Sequence, residues 1–243
     1  MRRIVCLALL LAPLPALADT EGDKALAALD VKLNTAETHY FEYEAVTEEP
    51  GRSPRKIGLT VYMKGPKRLT EFTAPADLKG TKVLALSPVD MYVYLPAFGK
   101  VRRIASHTTD QSAFGMTFTQ DDFAAQRYSP DYTATVLPGG DAETIRLSLL
   151  PRAGGQARYG KLELTILKAT GVPSELKYFA TGGKLSKTET RTGYTCEGDI
   201  CVPTELKMID HQKGGMWTKI TRKAWKVNQK LSDDIFSKRN LEK

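Results

Sequence analysis

Few residues in this chain stand in patterns that could do chemistry. Its three histidines, His39, His107 and His211, are scattered along 243 residues. None has a second ligand at metal-binding spacing, and none forms a legible set with a serine and an acid. Ser106, Ser112 and Ser129 lack the context of an activated nucleophile. Asp121 and Asp122 could hold a cation or act as an acid pair. Neighbours on a strand point to opposite faces, however, and on a helix they lie about 100° apart. A place at a helix N-terminus suits this pair better. There is no phosphate-binding glycine loop. The expectation is a protein that is not an enzyme and uses no metal and no cofactor, one that holds a ligand without reacting with it.

The cysteines point to a compartment. Cys6 lies in an N-terminal stretch with basic Arg2 and Arg3, an apolar run from Ile4 to Leu14, and the small-x-small triplet Ala16-Leu17-Ala18. That is the layout of a secretion signal, and it predicts cleavage after Ala18 and a periplasmic mature protein. The run is too short and too proline-broken for a membrane span. Residues 1–18 are read as signal and 19–243 as one ligand-binding domain, expected as a monomer. Cys196 and Cys201 flank the turn-forming Glu197-Gly198-Asp199. In an oxidising compartment they should form a disulfide at a hairpin end. Zinc would need more ligands than nearby His211 supplies, and catalytic redox pairs use the tighter Cys-x-x-Cys spacing. The net charge of +7 is spread among apolar residues, as in Arg222-Lys223-Ala224-Trp225-Lys226-Val227. It reads as a solvated face, and no motif supports nucleic-acid binding.

What could hold a ligand is an extensive sheet. Residues 23–38 have the spacing of an amphipathic helix, with Leu26, Leu29, Leu33 and Ala36 on one side. Thereafter the period becomes two. Ile57, Leu59, Val61 and Met63 alternate with polar or small residues, and so do Leu162, Leu164 and Ile166. Apolar runs at 83–86, 91–95 and 101–105 are separated by Gly, Pro and Asp. Further strands fall near 39–47, 67–73, 132–138, 143–150, 172–180, 184–192, 202–210 and 216–228. No repeat or linker divides them. The predicted fold class is all-β with minor helices, a single antiparallel, strongly curved, unclosed β-barrel. The helix at 23–38 and the segment at 106–127, with a helical piece near 119–125, would cover its mouth. Ser232 is expected to cap a short helix in the tail.

Aromatic and methionine residues crowd one third of the chain: Tyr62, Phe72, Met91, Tyr92, Tyr94, Phe98, Phe114, Met116, Phe118 and Phe123. A curved sheet has a concave apolar face that one short helix cannot fill, so a cavity suited to an acyl chain should remain. Its expected lining is Leu59, Val61, Met91, Val93, Leu95, Phe114, Met116 and Phe118. Of Arg102 and Arg103, the inward one is expected to hold a lid carbonyl or a lipid headgroup, the alternative being an ion pair with Glu71 or Asp90.

Several strings carry a resemblance. Ala74-Pro75-Ala76-Asp77-Leu78-Lys79-Gly80-Thr81, Tyr92-Val93-Tyr94-Leu95-Pro96-Ala97, Arg102-Arg103-Ile104, Phe114-Gly115 and Thr119-Gln120-Asp121-Asp122 are similar to the bacterial outer membrane lipoprotein-sorting protein family, relatives of the LolA/LolB lipoprotein carriers. Gly171-Val172-Pro173, Val202-Pro203 and the segment from Leu231 to Ser237 look similar too. The resemblance implies a LolA-like half-barrel with a lid. It also implies carriage of a lipoprotein or lipid acyl chain toward the outer membrane, beside an inner-membrane exporter of the RND type or an outer-membrane acceptor. The alternative is a lipid-sensing regulatory module acting through a protein partner.

Overall fold

The structure, a computed structural model, describes residues 20–105, 113–124 and 127–243. The signal-like stretch, His107, Ser106 and Ser112 lie outside these residues.

A helix, α1 (Thr20–Leu33), opens the fold. Glu21 and Asp23 in its first turn and Lys32 in its last complement the helix dipole. It stops at Leu33, short of the predicted residue 38, for a local reason. The Asn34 side-chain amide donates to the Asp30 carbonyl at 2.7 Å, and the Thr35 hydroxyl to the Val31 carbonyl at 3.1 Å. These short polar side chains satisfy the last free carbonyls and end the helix.

Strands follow in succession: β1 (Thr38–Glu48), β2 (Arg55–Lys64), β3 (Lys67–Ala74), β4 (Lys82–Ser87), β5 (Asp90–Leu95) and β6 (Lys100–Ile104). A second run comprises β7 (Tyr132–Leu137), β8 (Thr144–Pro151), β9 (Lys161–Leu167), β10 (Pro173–Phe179) and β11 (Leu185–Thr192). Next come the small hairpin β12 (Thr195–Glu197) and β13 (Ile200–Val202), then β14 (Glu205–Asp210) and β15 (Met216–Val227). All but the hairpin join one antiparallel sheet in the order β6-β5-β4-β3-β2-β1-β15-β14-β11-β10-β9-β8-β7. This is the predicted curved, unclosed sheet, and its strands begin and end within a few residues of the alternating runs. A bulge at Lys223 of β15, opposite Glu42 and Tyr43 of β1, helps it curl.

Period-two alternation decides what the curve encloses. Phe41, Ala45, Leu59, Val61, Phe72, Val83, Leu147, Leu149, Leu164, Leu176, Met208 and Ile220 share the concave face as one buried cluster. The convex face carries a smaller cluster, Leu69, Leu84, Phe236 and Leu241. There the C-terminal tail folds back over β3 and β4. Ser232 caps its 3₁₀ turn by accepting from the Asp234 amide, as predicted, and a last turn of helix, α3 (Lys238–Leu241), follows.

The two edges are treated differently. α1 lies along β7, where Asp23 accepts from the Ala134 amide at 2.8 Å. It thus satisfies a strand-edge donor that would otherwise stand open. The approach is so close that a Cβ on Gly22 would lie 2.2 Å from the Ala134 carbonyl oxygen, so only glycine fits there. The helix lies against this edge, buries Leu26 and Leu29 in the concave core, and brings Lys32 and Leu33 of its last turn to the cavity. The strands at the two edges, β6 and β7, are consecutive in the chain. Of the segment between them, the described residues 113–124 cross the open side of the half-barrel.

Candidate functional site

The crossing segment and the concave face enclose a cavity of about 240 Å³. Its walls are concave residues of β1 to β4 and Met91 of β5 on one side, and Pro173, Glu189, Arg191, Leu206 and Ile220 of β10, β11, β14 and β15 on the other. Its floor comes from the crossing segment. Phe114 takes a left-handed backbone conformation (φ 53°, ψ 34°), which β-carbon residues adopt only under constraint. That conformation sets its ring 4.3 Å from the Phe72 ring. Met116 and Phe118 are almost wholly buried, and Phe118 stacks on Phe123 at 5.3 Å.

Polar bonds fasten residues 117–122 to the sheet. The Thr117 amide donates to the Thr218 hydroxyl at 2.9 Å, and the Thr117 hydroxyl to the Met208 carbonyl at 3.2 Å. Thr218 in turn meets the Thr47 hydroxyl at 2.8 Å. Thr119 and Asp122 form a capping box, each accepting from the other's amide. The box opens the short helix α2 (Gln120–Ala124). Asp122 also pairs with buried Lys187 at 2.7 Å and accepts from the Tyr159 hydroxyl at 2.7 Å. It is therefore a helix-starting anchor and not half of an acid pair.

One end of α2 is held otherwise. Arg68, on the concave face of β3, donates from Nη1 to the Phe123 carbonyl. Its Nη2 lies 3.5 Å from Met63 Sδ, and its Nε is shielded from solvent with no hydrogen-bond partner. No carboxylate pairs with it among the described residues. Burial pulls its pKa down to about 10. Nearby His39 accepts from Trp225 Nε1 at 3.2 Å. Burial, then the Arg68 charge, lowers the His39 pKa to about 4, so the ring stays neutral. Tyr43 stands among these groups, and burial raises its pKa, keeping its hydroxyl protonated.

The structure redistributes the residues singled out in the sequence. Leu59, Val61, Met91, Phe114, Met116 and Phe118 meet around the cavity. Val93 packs against the main core beyond the lining. Leu95 also lies outside the lining, because β4 begins at Lys82 opposite Tyr94 and leaves Leu95 one residue past its end. Tyr62, Tyr92 and Tyr94 face the convex cluster, and Phe98 is 59% exposed. Arg102 and Arg103 are exposed on the edge strand and, among the described residues, lie outside the cavity lining. The Arg102 guanidinium lies 5.0 Å from the Phe98 ring centre, and Arg103 is 3.5 Å from Asp90. The grip on a lid carbonyl expected of them belongs to Arg68. A legible signal was available: in Lys67-Arg68-Leu69-Thr70-Glu71-Phe72, period two puts Arg68 on the face of Thr70 and Phe72.

At the rim, Cys196 and Cys201 are opposite one another in the small hairpin and form a disulfide. Cys201, Ile200, Val202 and Pro203 border the cavity. Among the described residues no group of three or more His, Cys, Asp or Glu side chains is placed to hold a metal ion.

A family model described as "uncharacterized protein" matches residues 64–243, well over half of the chain. The chain belongs to that family. Among solved structures it is similar to a DUF1329 family protein from Desulfovibrio piger, at 22% identity and TM-score 0.83, over 92% of this chain and 99% of that one. A domain described as an outer membrane lipoprotein-sorting protein, from Vibrio parahaemolyticus, matches at 22% identity and TM-score 0.79 over the same shares. A LolA superfamily protein from Nitrosomonas europaea matches at 20% identity and TM-score 0.73, over 90% of this chain and 98% of that one. The chain thus shares the fold of these three structures. No curated protein matches the chain.

Proposed function

We propose that this protein is a periplasmic carrier that holds an acyl chain of a lipoprotein or lipid against its concave face, for sorting toward the outer membrane. The observation that carries the reading is the cavity itself, walled by Leu, Val, Met and Phe side chains and closed by a segment that ends in an arginine-held turn. Burying methylenes there is worth roughly 0.8 kcal/mol each. Its volume of about 240 Å³ falls below the roughly 300–1,000 Å³ of pockets for drug-sized ligands. A long chain fits only if part of the crossing segment gives way. The Arg68–Phe123 contact supports such opening, because it is a single hydrogen bond without an ion pair. The lipoprotein-sorting relative favours a lipoprotein or lipid as cargo, and an exporter or acceptor protein as the delivery partner.

Native mass spectrometry of protein purified gently from the periplasm tests this. The expected result is a co-purified acyl lipid, displaced by a fluorescent fatty acid. Protein free of lipid that also fails to bind the fluorescent fatty acid would overturn the reading.

A further inference from the structure

The ionic groups of the cavity do not balance. Two acids line it, and both are engaged. Asp122 is held by Lys187 and the Tyr159 hydroxyl, and Glu189 by Arg191 at 2.7 Å and the Tyr178 hydroxyl. Two cations also line it with no carboxylate partner among the described residues, Arg68 and Lys32. Lys32 ends α1, and its stem lies along the Gly171 turn, whose added Cβ would fall 3.3 Å from Lys32 Cγ. Directly behind Tyr43 in the sheet register, Arg222 likewise has a shielded Nε with no partner. A guanidinium removed from water without a counter-charge is costly, and a neutral acyl cavity does not require one.

We propose that Arg68, with Lys32 and the Tyr43 hydroxyl, forms an anion subsite that selects acyl ligands bearing a carboxylate or phosphate head. This rests on the carrier reading and names its cargo more closely. The free Nε and the two Nη groups of Arg68 present the fork that matches a carboxylate or phosphate. Lys32 adds a second charge, and Tyr43 adds a hydroxyl donor. An anionic head also bonds a guanidinium more strongly than a backbone carbonyl does. It would take Arg68 from Phe123, so recognition of the head releases the end of α2 and makes room for the chain.

The test compares ligands that share a chain and differ in head. Laurate is set against lauryl alcohol, and a lauroyl lysophosphatidate against monolaurin, each displacing a neutral apolar dye from the wild-type protein. The anionic member should bind about tenfold tighter or more, the worth of a hydrogen bond to a charged group. In Arg68→Met the preference should fall to about twofold or less, and in Lys32→Met it should fall partway. A preference confined to the carboxylate pair assigns the site to fatty acids, and one confined to the phosphate pair to phospholipids. Either supports the subsite. Equal binding within both wild-type pairs overturns the subsite and leaves the carrier reading standing. Failure of all four ligands to displace the dye overturns both. The wild-type comparison stands even if the Arg68 variant does not fold.

Discussion

Two neighbouring parts of the segment that closes the half-barrel are held by opposite chemistry. Residues 117–122 are tied down by buried bonds in which every partner is matched. The Thr117 amide donates to the Thr218 hydroxyl, which meets the Thr47 hydroxyl, and Asp122 meets Lys187, Tyr159 and the Thr119 amide. At the very next residue, the Phe123 carbonyl accepts one bond from an arginine whose Nε is unbonded, while its ring stacks on Phe118 and lies 5.8 Å from that guanidinium. A matched network in a low-dielectric interior costs a great deal to break. A lone bond from a desolvated guanidinium costs little, because release lets the charge regain water or meet an anion. The difference divides the presumed lid into a fixed floor and a releasable end.

The largest test of that division is Asp122→Ala. It strands Lys187 in the interior without its partner and uncaps α2. The expected loss is about 3–5 kcal/mol in urea unfolding, the usual cost of breaking a buried pair from one side. A loss under about 1 kcal/mol would mean that the floor is not fixed. Phe118→Asp should behave likewise, because Phe118 is only 3% exposed and belongs to the floor. Retention of full stability there would place Phe118 in the moving part.

Acid should work on the releasable side. His39 is held at about 4, below its ordinary 6.5, chiefly by burial. Between those values the unfolded chain binds more protons than the folded one, so stability rises with pH through the window. His39 therefore contributes fully above about pH 6.5 and loses its contribution as pH falls toward 4. The shift corresponds to at most about 3 kcal/mol, less whatever solvent screening removes. A His39→Gln variant should lose this slope between pH 4 and 6.5. An unchanged slope would mean that other groups carry the acid response.

How far the sequence foretold this contrast depends on which residues are asked. The sheet was legible almost strand by strand, because alternation such as Ile57-Leu59-Val61-Met63 is a local property of one strand. The capping boundary at Thr119-Asp122 was legible for the same reason. The cavity lining was legible in part: Leu59, Val61 and Met91 follow from alternation. Leu95 does not, because whether it has a neighbour depends on where β4 begins. The latch was expected at Arg102 or Arg103, with a Glu71 or Asp90 ion pair as the alternative, and Arg103 stands beside Asp90. Both arginines lie in a recognisable motif, but an edge strand exposes both its faces at that point. Arg68 became visible only once β3 stood beside β2 and β4, with Phe123 brought back from 55 residues away. The pairing of Asp122 with Lys187 joins elements 65 residues apart, and no local pattern announces it.

The disulfide sits at the cavity rim, and its effect should be modest. Changing both Cys196 and Cys201 to Ser should cost about 2 kcal/mol or less, because so short a loop gives up little chain entropy. The small hairpin pairs only its own strands, so the loss should stay local. Hydrogen exchange should quicken at residues 195–202 and remain unchanged at 117–122. Faster exchange at both would join the rim to the floor and blur the contrast.

The smallest effect on stability should come from Arg68→Met, and that smallness is what separates a latch from a scaffold. The substitution removes one hydrogen bond to the Phe123 carbonyl, worth about 0.5–1.5 kcal/mol net. It also removes the penalty of holding a charged group away from water without a partner, which works in the opposite direction. A methionine suits the space, which is lined by Met63, Thr70, Ala85 and Met91. The two terms should nearly cancel, leaving global stability within about 1 kcal/mol of wild type. The local signature should be larger: amides of α2 should exchange faster while those of β1, β2 and β15 do not. If Arg68→Met instead lowered global stability by more than about 2 kcal/mol, with exchange rising evenly across the sheet, Arg68 would belong to the scaffold. The closing segment would then have no releasable end, and ligand entry would have to follow another route.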